Sequence, residues 1–181
     1  MFDTYLRFLP ITAFVIIFRW FNNWQYAFLV GAILSLLQIL FFLYKKLPFN
    51  RFVLAINLFL LTGGLSIFCD ITPILLAYER LEQTAVFIWL CIVGLITTIC
   101  TTRGFINVEI KNNDHKNVFL YSLILFIATV LATICSWLLH YNYLASTVIP
   151  FVALILLQIY LTKRYYHNHA HNAHKHHHKS M

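Results

Sequence analysis

Charged residues are scarce in this chain, and their scarcity decides the class of protein. Asp, Glu, Lys and Arg make up 10% of the 181 residues and hydrophobic residues 61%, whereas an ordinary soluble domain carries roughly 25% charged residues. A soluble globule of this composition would lack the polar side chains needed to cover its surface. Together with a mean hydropathy of +0.76, the composition predicts a protein whose main partner is a lipid bilayer.

Signatures of catalysis are also missing. We find no HExxH, P-loop, GxSxG or Gly-rich dinucleotide motif and no intramembrane Asp pair. The four cysteines, Cys69, Cys91, Cys100 and Cys135, lack the CxxC spacing of a zinc or redox site. They have the character of small membrane-buried hydrophobes, with a Cys91–Cys135 disulfide as an open alternative. The sequence therefore predicts neither an enzyme nor a bound cofactor.

Basic residues give a formal net charge of +7, but no single patch gathers them. A phosphate-binding face needs clustered Lys and Arg on a soluble surface. Here they lie between apolar runs and at the C-terminus, so we expect no nucleic-acid partner. Their distribution is typical of a protein that uses positive charge to orient itself in a membrane.

The apolar runs are long enough to predict an all-α membrane protein. A helix needs about 20 apolar residues to cross the hydrocarbon layer. Six runs approach that length, at 5–21, 26–44, 52–69, 83–100, 118–140 and 144–162. We expect a bundle of about six transmembrane helices over residues 1–166. Five is the alternative, because Pro10 and Arg19 interrupt the first run.

Alternate connections between these runs are basic, which predicts the topology. The basic residues of these connections are Lys45, Lys46, Arg51, Arg103, Lys111, Lys116, Lys163 and Arg164. The positive-inside rule places them, and both termini, in the cytoplasm of a multi-pass protein. Aromatic residues gather at the predicted outer interface, namely Trp20, Trp24, Trp137, Tyr141 and Tyr143.

Three segments fall outside the predicted spans. Residues 71–76, which include Pro73, are too short to span and too apolar for a solvated loop, so they predict a short interfacial or re-entrant segment. Residues 104–117 form the main cytoplasmic loop, and we assign no chemistry to its polar run at 111–116. From His167 the composition becomes polar and rich in histidine, which predicts a disordered cytoplasmic tail over residues 167–181.

The histidine tail is the one candidate metal site. Neutral imidazoles at this density can chelate zinc, nickel or copper, although no Cys or acidic partner defines a fixed geometry. Weak zinc or nickel binding could be fortuitous, could serve metal sensing or buffering, or could belong to an added purification tail. The candidate ligands are His167, His169, His171, His174, His176, His177 and His178.

A second candidate site is a cluster of ionisable residues at the predicted outer face. Its members are Arg19, Asp70, Glu79, Arg80, Glu82 and His140. Such groups at membrane depth are costly unless they are paired or face water. Arg19 and Asp70 are the first pair to test, as a salt bridge that fixes helix packing or as part of a substrate or proton site. Asp70, Glu82 and His140 could also serve an enzyme that acts on lipids.

Polar and small residues inside the spans have a simpler interpretation. Membrane helices use them to approach and to hydrogen-bond one another. We assign that packing role to Ser35, Gln38, Asn57, Thr62, Gln158 and the Gly63–Gly64 pair.

Short motifs along the chain resemble the bacterial intracellular septation protein A family. They are Phe8-Leu9-Pro10, the run from Gln38 to Tyr44-Lys45-Lys46, Gly63-Gly64-Leu65-Ser66, and the stretch from Tyr160 to Tyr166 that follows the last apolar helix. The family has Lys-Pro-Thr where this chain has Glu82-Gln83-Thr84, and it has about five crossings. The resemblance implies a bacterial inner-membrane protein that supports envelope integrity and division through partner proteins, without enzymatic residues.

Two functions are therefore expected from the sequence. The first is a non-enzymatic inner-membrane protein that supports the cell envelope or septation by binding other membrane proteins. The alternative is a small membrane transporter for a divalent metal ion, motivated by the histidine tail and the outer charged residues.

Overall fold

The computed structural model describes residues 2–45, 50–81, 83–108, 115–139, 141–142 and 144–179, with the backbone alone for 2–8 and 169–179. All regular structure within these ranges is helical. The helices are α1 (Phe2–Phe21), α2 (Trp24–Tyr44), α3 (Arg51–Phe68), α4 (Thr72–Leu81), α5 (Thr84–Cys100), α6 (His115–Leu138) and α7 (Ile149–Lys179), and a π-helical turn at Leu144–Val148 leads into α7. The predicted all-α fold is confirmed.

Four of the described helical segments are long and apolar enough to cross a membrane: α2, α3, α6 and the segment Leu144–Asn168. A fifth crossing results if α4 and α5, which meet at a bend of 107°, count as one broken span. Helix α1 has 20 residues, and the part of it whose side chains are described, Leu9–Phe21, is apolar but shorter than a span. A multi-pass helical membrane protein is thus confirmed, with four or five crossings among the described residues. A crossing by the whole of α1, which would bring the number to the predicted six, stays a prediction.

The chain divides into two compact units, residues 1–90 and residues 91–181. The first contains α1 to α4 and the beginning of α5. The second contains the rest of α5, α6, the π-helical turn and α7. The predicted division into a bundle over 1–166 and a tail over 167–181 stays a prediction.

Asparagine side chains set the beginnings of three helical segments. Asn23 precedes α2 and accepts hydrogen bonds from the backbone N–H groups of Gln25 and Tyr26, at 3.0 and 3.3 Å. Asn50 caps α3 in the same way, and Asn142 caps the π-helical turn. The first N–H groups of a helix have no partner within it, so a cap contributes about 1 kcal/mol. These three asparagines mark the points at which the connections end and the next helical segments begin.

Close packing of α2 against α3 forms the centre of the first unit. A Cβ atom at Gly64 would overlap the Cβ of Ala32 and would lie 3.1 Å from the backbone oxygen of Phe28, and one at Gly63 would overlap the Phe28 ring. Glycine at these positions therefore lets the two backbones approach. The packing role predicted for the Gly63–Gly64 pair is confirmed.

The backbone between α5 and α6 folds into the second unit. Phe105, Ile106 and Val108 are buried, although they belong to the loop predicted at 104–117. Gly104 has φ +59°, and a Cβ there would overlap the Ser122 hydroxyl of α6. Because this segment is apolar, burying it removes hydrocarbon from water. The polar part of the predicted loop at 109–114 lies outside the described residues.

Helix α7 continues through the segment predicted to be a disordered tail. Its backbone is helical from Ile149 to Lys179. The sequence contains no glycine or proline after Pro150, so no helix-breaking residue ends the helix. Polar composition alone suggested disorder, and for the backbone of residues 167–179 that prediction is wrong.

Candidate functional site

A buried amide pair links the two central helices of the first unit. The side-chain nitrogen Nδ2 of Asn57 on α3 donates to Oε1 of Gln38 on α2, at 2.7 Å. Asn57 is fully buried and Gln38 is 9% exposed. Ser35 lies one turn before Gln38 and is also fully buried. Within the described part of the chain, the Ser35 hydroxyl and the Asn57 Oδ1 atom have no hydrogen-bond partner.

This pair fixes how α2 and α3 align along their axes. Sliding one helix past the other would break the bond and would leave two amides in an apolar interior, where an unpaired polar group costs several kcal/mol. The packing role predicted for Gln38 and Asn57 is confirmed, although the sequence did not indicate that they pair with each other.

Tyr78 anchors the short helix α4 to its neighbours. Its hydroxyl accepts a hydrogen bond from Nε1 of Trp89 on α5 at 2.8 Å and lies 3.1 Å from the backbone oxygen of Phe59 on α3. It also shares a hydrogen bond with the Thr62 hydroxyl. No residue of α4 is fully buried. Tyr78 therefore provides much of what holds α4 in place.

Aromatic rings surround Tyr78 on the side of α2 and α3. Its ring stacks on Phe59 with centroids 5.4 Å apart and meets Phe28 edge-on at 5.4 Å. Phe28 in turn contacts Phe14 of α1 at 4.8 Å. Such pairs each contribute about 0.5–1.5 kcal/mol beyond the burial of their area. With its hydroxyl already bonded, the Tyr78 phenol has the geometry of an anchor rather than of a proton donor to substrate.

Six hydroxyl groups bond back to the backbone of their own helix or its last turn. In each case the Thr or Ser hydroxyl donates to the backbone carbonyl oxygen four residues earlier. The residues are Thr62, Ser66, Thr97, Thr101, Thr129 and Thr133, at 2.6–2.8 Å. Backbone bonding of this kind satisfies a hydroxyl in an apolar surrounding. The hydrogen bonds of these hydroxyl groups are therefore made within the fold.

Ser122 holds the buried segment between α5 and α6, and sequence reasoning missed it. Its hydroxyl oxygen accepts hydrogen bonds from the backbone N–H groups of Phe105 and Ile106, at 2.9 and 3.4 Å. Ser122 itself is fully buried. The available signal was the run Phe105-Ile106-Asn107-Val108 beside Gly104, which is more apolar than a solvated loop needs.

The described members of the predicted outer cluster are all exposed. Arg19 lies in the last turn of α1, Asp70 follows α3 with φ 52°, and Glu79 and Arg80 lie on α4. Among described residues, no ion pair joins Arg19 to Asp70. Exposed charges gain little from pairing because water screens them. Glu82 and His140 lie outside the described residues.

The predicted metal ligands are placed only in part. His167 is exposed, and the side chains of the other six candidates lie outside those that the structure describes. Elsewhere in the described chain, no group of three His, Cys, Asp or Glu residues could hold a metal ion. The four cysteines are free, so the Cys91–Cys135 disulfide is not formed. The Cys91 Sγ atom lies 3.2 Å from the Thr133 hydroxyl instead.

No family model, curated protein or solved structure matches this chain. The resemblance to the septation protein A family therefore stays a prediction, and the site must be judged by its own geometry. In that geometry, polar groups join helices to one another.

Proposed function

We propose that this protein is a non-enzymatic membrane protein that supports cell-envelope integrity or septation by binding other membrane proteins. The observation that carries the proposal is the use of polar side chains in the described helices. Gln38 bonds Asn57, Tyr78 bonds Trp89, and Ser122 bonds backbone N–H groups. Groups bonded in this way stabilise a scaffold. A scaffold with lipid-exposed helices is suited to association with partner helices through packing.

A bacterial inner membrane with both termini in the cytoplasm belongs to the same proposal. Its support is the distribution of Lys and Arg, which alternates between connections as the positive-inside rule requires. Reporter fusions after Gln25 and after Lys163 test it. We expect the reporter after Gln25 to be outside and the one after Lys163 to be inside. A cytoplasmic reporter after Gln25 would mean that α1 does not cross.

Deletion and complementation test the function itself. In the host bacterium, deletion should weaken growth and division under osmotic stress, and the wild-type chain should restore both. A lipid-modifying enzyme built on the outer residues is distinguished by the triple variant Asp70→Asn/Glu82→Gln/His140→Gln. If the chain acts by binding, this variant should complement. Failure of a variant that is produced at the wild-type level would favour catalysis.

Partner binding is tested by native co-purification from membranes with an affinity label on the N-terminus. We expect the same membrane proteins to be recovered with the wild type and with the triple variant. A control chain with Gly64→Leu, which should not pack α2 against α3, should recover none of them. Two results together would favour the transporter alternative instead. They are metal uptake into liposomes that contain the purified wild-type protein, and a deletion strain that grows and divides normally.

A further inference from the structure

Helix α7 is longer than one membrane crossing requires. It has 31 residues, which corresponds to ~46 Å at 1.5 Å per residue, whereas the hydrocarbon layer is about 30 Å thick. The apolar run that includes its first part, at 144–162, is followed by Lys163 and Arg164 and then by the histidine-rich sequence. Helical backbone beyond that point therefore carries the histidine-rich sequence outside the span.

Contacts with α6 fix the rotation of α7 about its axis where it leaves the span. The Tyr165 side chain is 1% exposed, and its ring centroid lies 6.4 Å from that of Tyr121. The Nδ2 atom of Asn168 donates to the Tyr121 hydroxyl at 3.1 Å. His167, between these two anchors, is exposed. The side of α7 on which His167 lies is thus not the side that packs on α6.

Helical periodicity places four of the seven histidines at positions on the same side of the α7 backbone as His167. His167, His171, His174 and His178 follow one another at intervals of four, three and four residues. At 100° per residue these positions fall within about 60° of the helix circumference. We call them the histidine stripe. The other three, His169, His176 and His177, fall outside that arc.

We propose that the histidine stripe binds two divalent transition-metal ions, one at His167 and His171 and one at His174 and His178. Two histidines four residues apart on one helical face are the spacing with which helices hold zinc. Imidazole nitrogen suits Zn²⁺, Ni²⁺ and Cu²⁺. Each ion would keep open positions for water, because one helix supplies two ligands where zinc takes four.

The helix distinguishes this proposal from chelation by an unordered tail. In an unordered tail any two histidines could reach one ion, so affinity would follow the number of histidines and not their positions. In the helix, the affinity for the metal depends on which positions along the helix the histidines occupy. The two cases can be separated by removing the same number of histidines from different faces.

Two matched variants of the full-length chain provide the test. The on-stripe variant, His171→Asn/His174→Asn/His178→Asn, leaves no two histidines three or four residues apart. The off-stripe variant, His169→Asn/His176→Asn/His177→Asn, keeps both pairs. Each replaces three histidines by the same residue and leaves length and the number of Lys and Arg unchanged. All chains are purified in detergent, stripped with a chelator and titrated with ZnCl₂ by calorimetry.

We expect two zinc ions to bind the wild type and the off-stripe variant with similar affinity. The on-stripe variant should bind at least about tenfold more weakly, since losing even an outer-sphere partner of a metal ligand costs 10–100-fold. Equal weakening in both variants would overturn the proposal, as would a larger loss in the off-stripe variant.

Amide hydrogen exchange supplies a second readout that does not depend on affinity. Metal that bridges two turns of a helix should slow exchange over residues 167–178, because local opening must first release the ion. The slowing should occur in the wild type and the off-stripe variant and be absent in the on-stripe variant. Zinc that binds without slowing exchange in any chain would show that the ligands do not lie on one helix, which also overturns the proposal.

Discussion

Replacing Gly64 by alanine should destabilise the first unit far more than the same replacement at Gly31. Both glycines lie in the contact between α2 and α3. The added Cβ at Gly64 would meet the Ala32 Cβ and the Phe28 backbone oxygen, which no side-chain rotation can move aside. At Gly31 it would meet the end of the Leu60 side chain, at 3.1 Å from Cδ2, which can shift by a few tenths of an ångström.

The size of the effect follows from two opposing terms. Alanine favours a helix over glycine by about 1 kcal/mol, and this gain is common to both positions. Overpacking costs about 1–3 kcal/mol, with the upper value expected at Gly64 and the lower at Gly31. The net loss is therefore ~2 kcal/mol for Gly64→Ala and close to zero for Gly31→Ala. A difference of ~2 kcal/mol is roughly a 30-fold change in the unfolding constant.

Unfolding by sodium dodecyl sulfate in mixed micelles, followed by far-ultraviolet circular dichroism, measures these free energies. The double variant Gly64→Ala/Ala32→Gly removes the Cβ that obstructs the new methyl group. Its loss should be smaller than the sum of the two single losses by about 1 kcal/mol, which is a typical coupling for residues in contact. Equal stability of the Gly64→Ala and Gly31→Ala chains, or strict additivity in the double variant, would refute the close approach of α2 and α3.

Three further predictions concern the hydrogen bonds. Gln38→Leu should lower the free energy of unfolding by about 1–3 kcal/mol, because it leaves the buried Asn57 amide unpaired. Gln38→Leu/Asn57→Leu should recover part of that loss in the same assay, and a double variant less stable than the single one would contradict this. Ser122→Ala should lower the free energy of unfolding by about 1–3 kcal/mol and should speed amide hydrogen exchange at residues 105 and 106. Unchanged exchange at these two residues would argue against the Ser122 contact. Tyr78→Phe should shift the emission of Trp89 to longer wavelength, measured against Trp89→Phe to isolate that signal, and an unshifted spectrum would mean that α4 does not depend on the hydroxyl.

The helices themselves could be predicted because the physics of a span is local. About 20 apolar residues in succession are readable from composition, and the predicted runs coincide with α2, α3, α5 and α6 to within a few residues. About six crossings, with five as the alternative, were expected from the lengths of the apolar runs. Among the described residues the number is four or five, because α5 has 17 residues and follows a bend, and the side chains of α1 are described only from Leu9.

The contacts between helices could not be predicted, because they depend on register. Gln38 and Asn57 were both recognised as packing residues, yet nothing in either run indicates which residue of α2 lies opposite Asn57. Tyr78 gave no signal, since one tyrosine on a short helix resembles many others. The buried segment after α5 was overlooked because three apolar residues are too few to establish a period.

The burial of residues 104–108 determines where foreign sequence can be inserted in the second unit. Insertions succeed in exposed loop tips and fail where the backbone is bonded and packed. An epitope placed between Gly104 and Val108 would displace three apolar side chains and remove two N–H groups from the Ser122 oxygen. The exposed turn at Tyr141 is the better position for an epitope, and one placed before Asn142 should leave the fold of α6 and the cap of the π-helical turn intact.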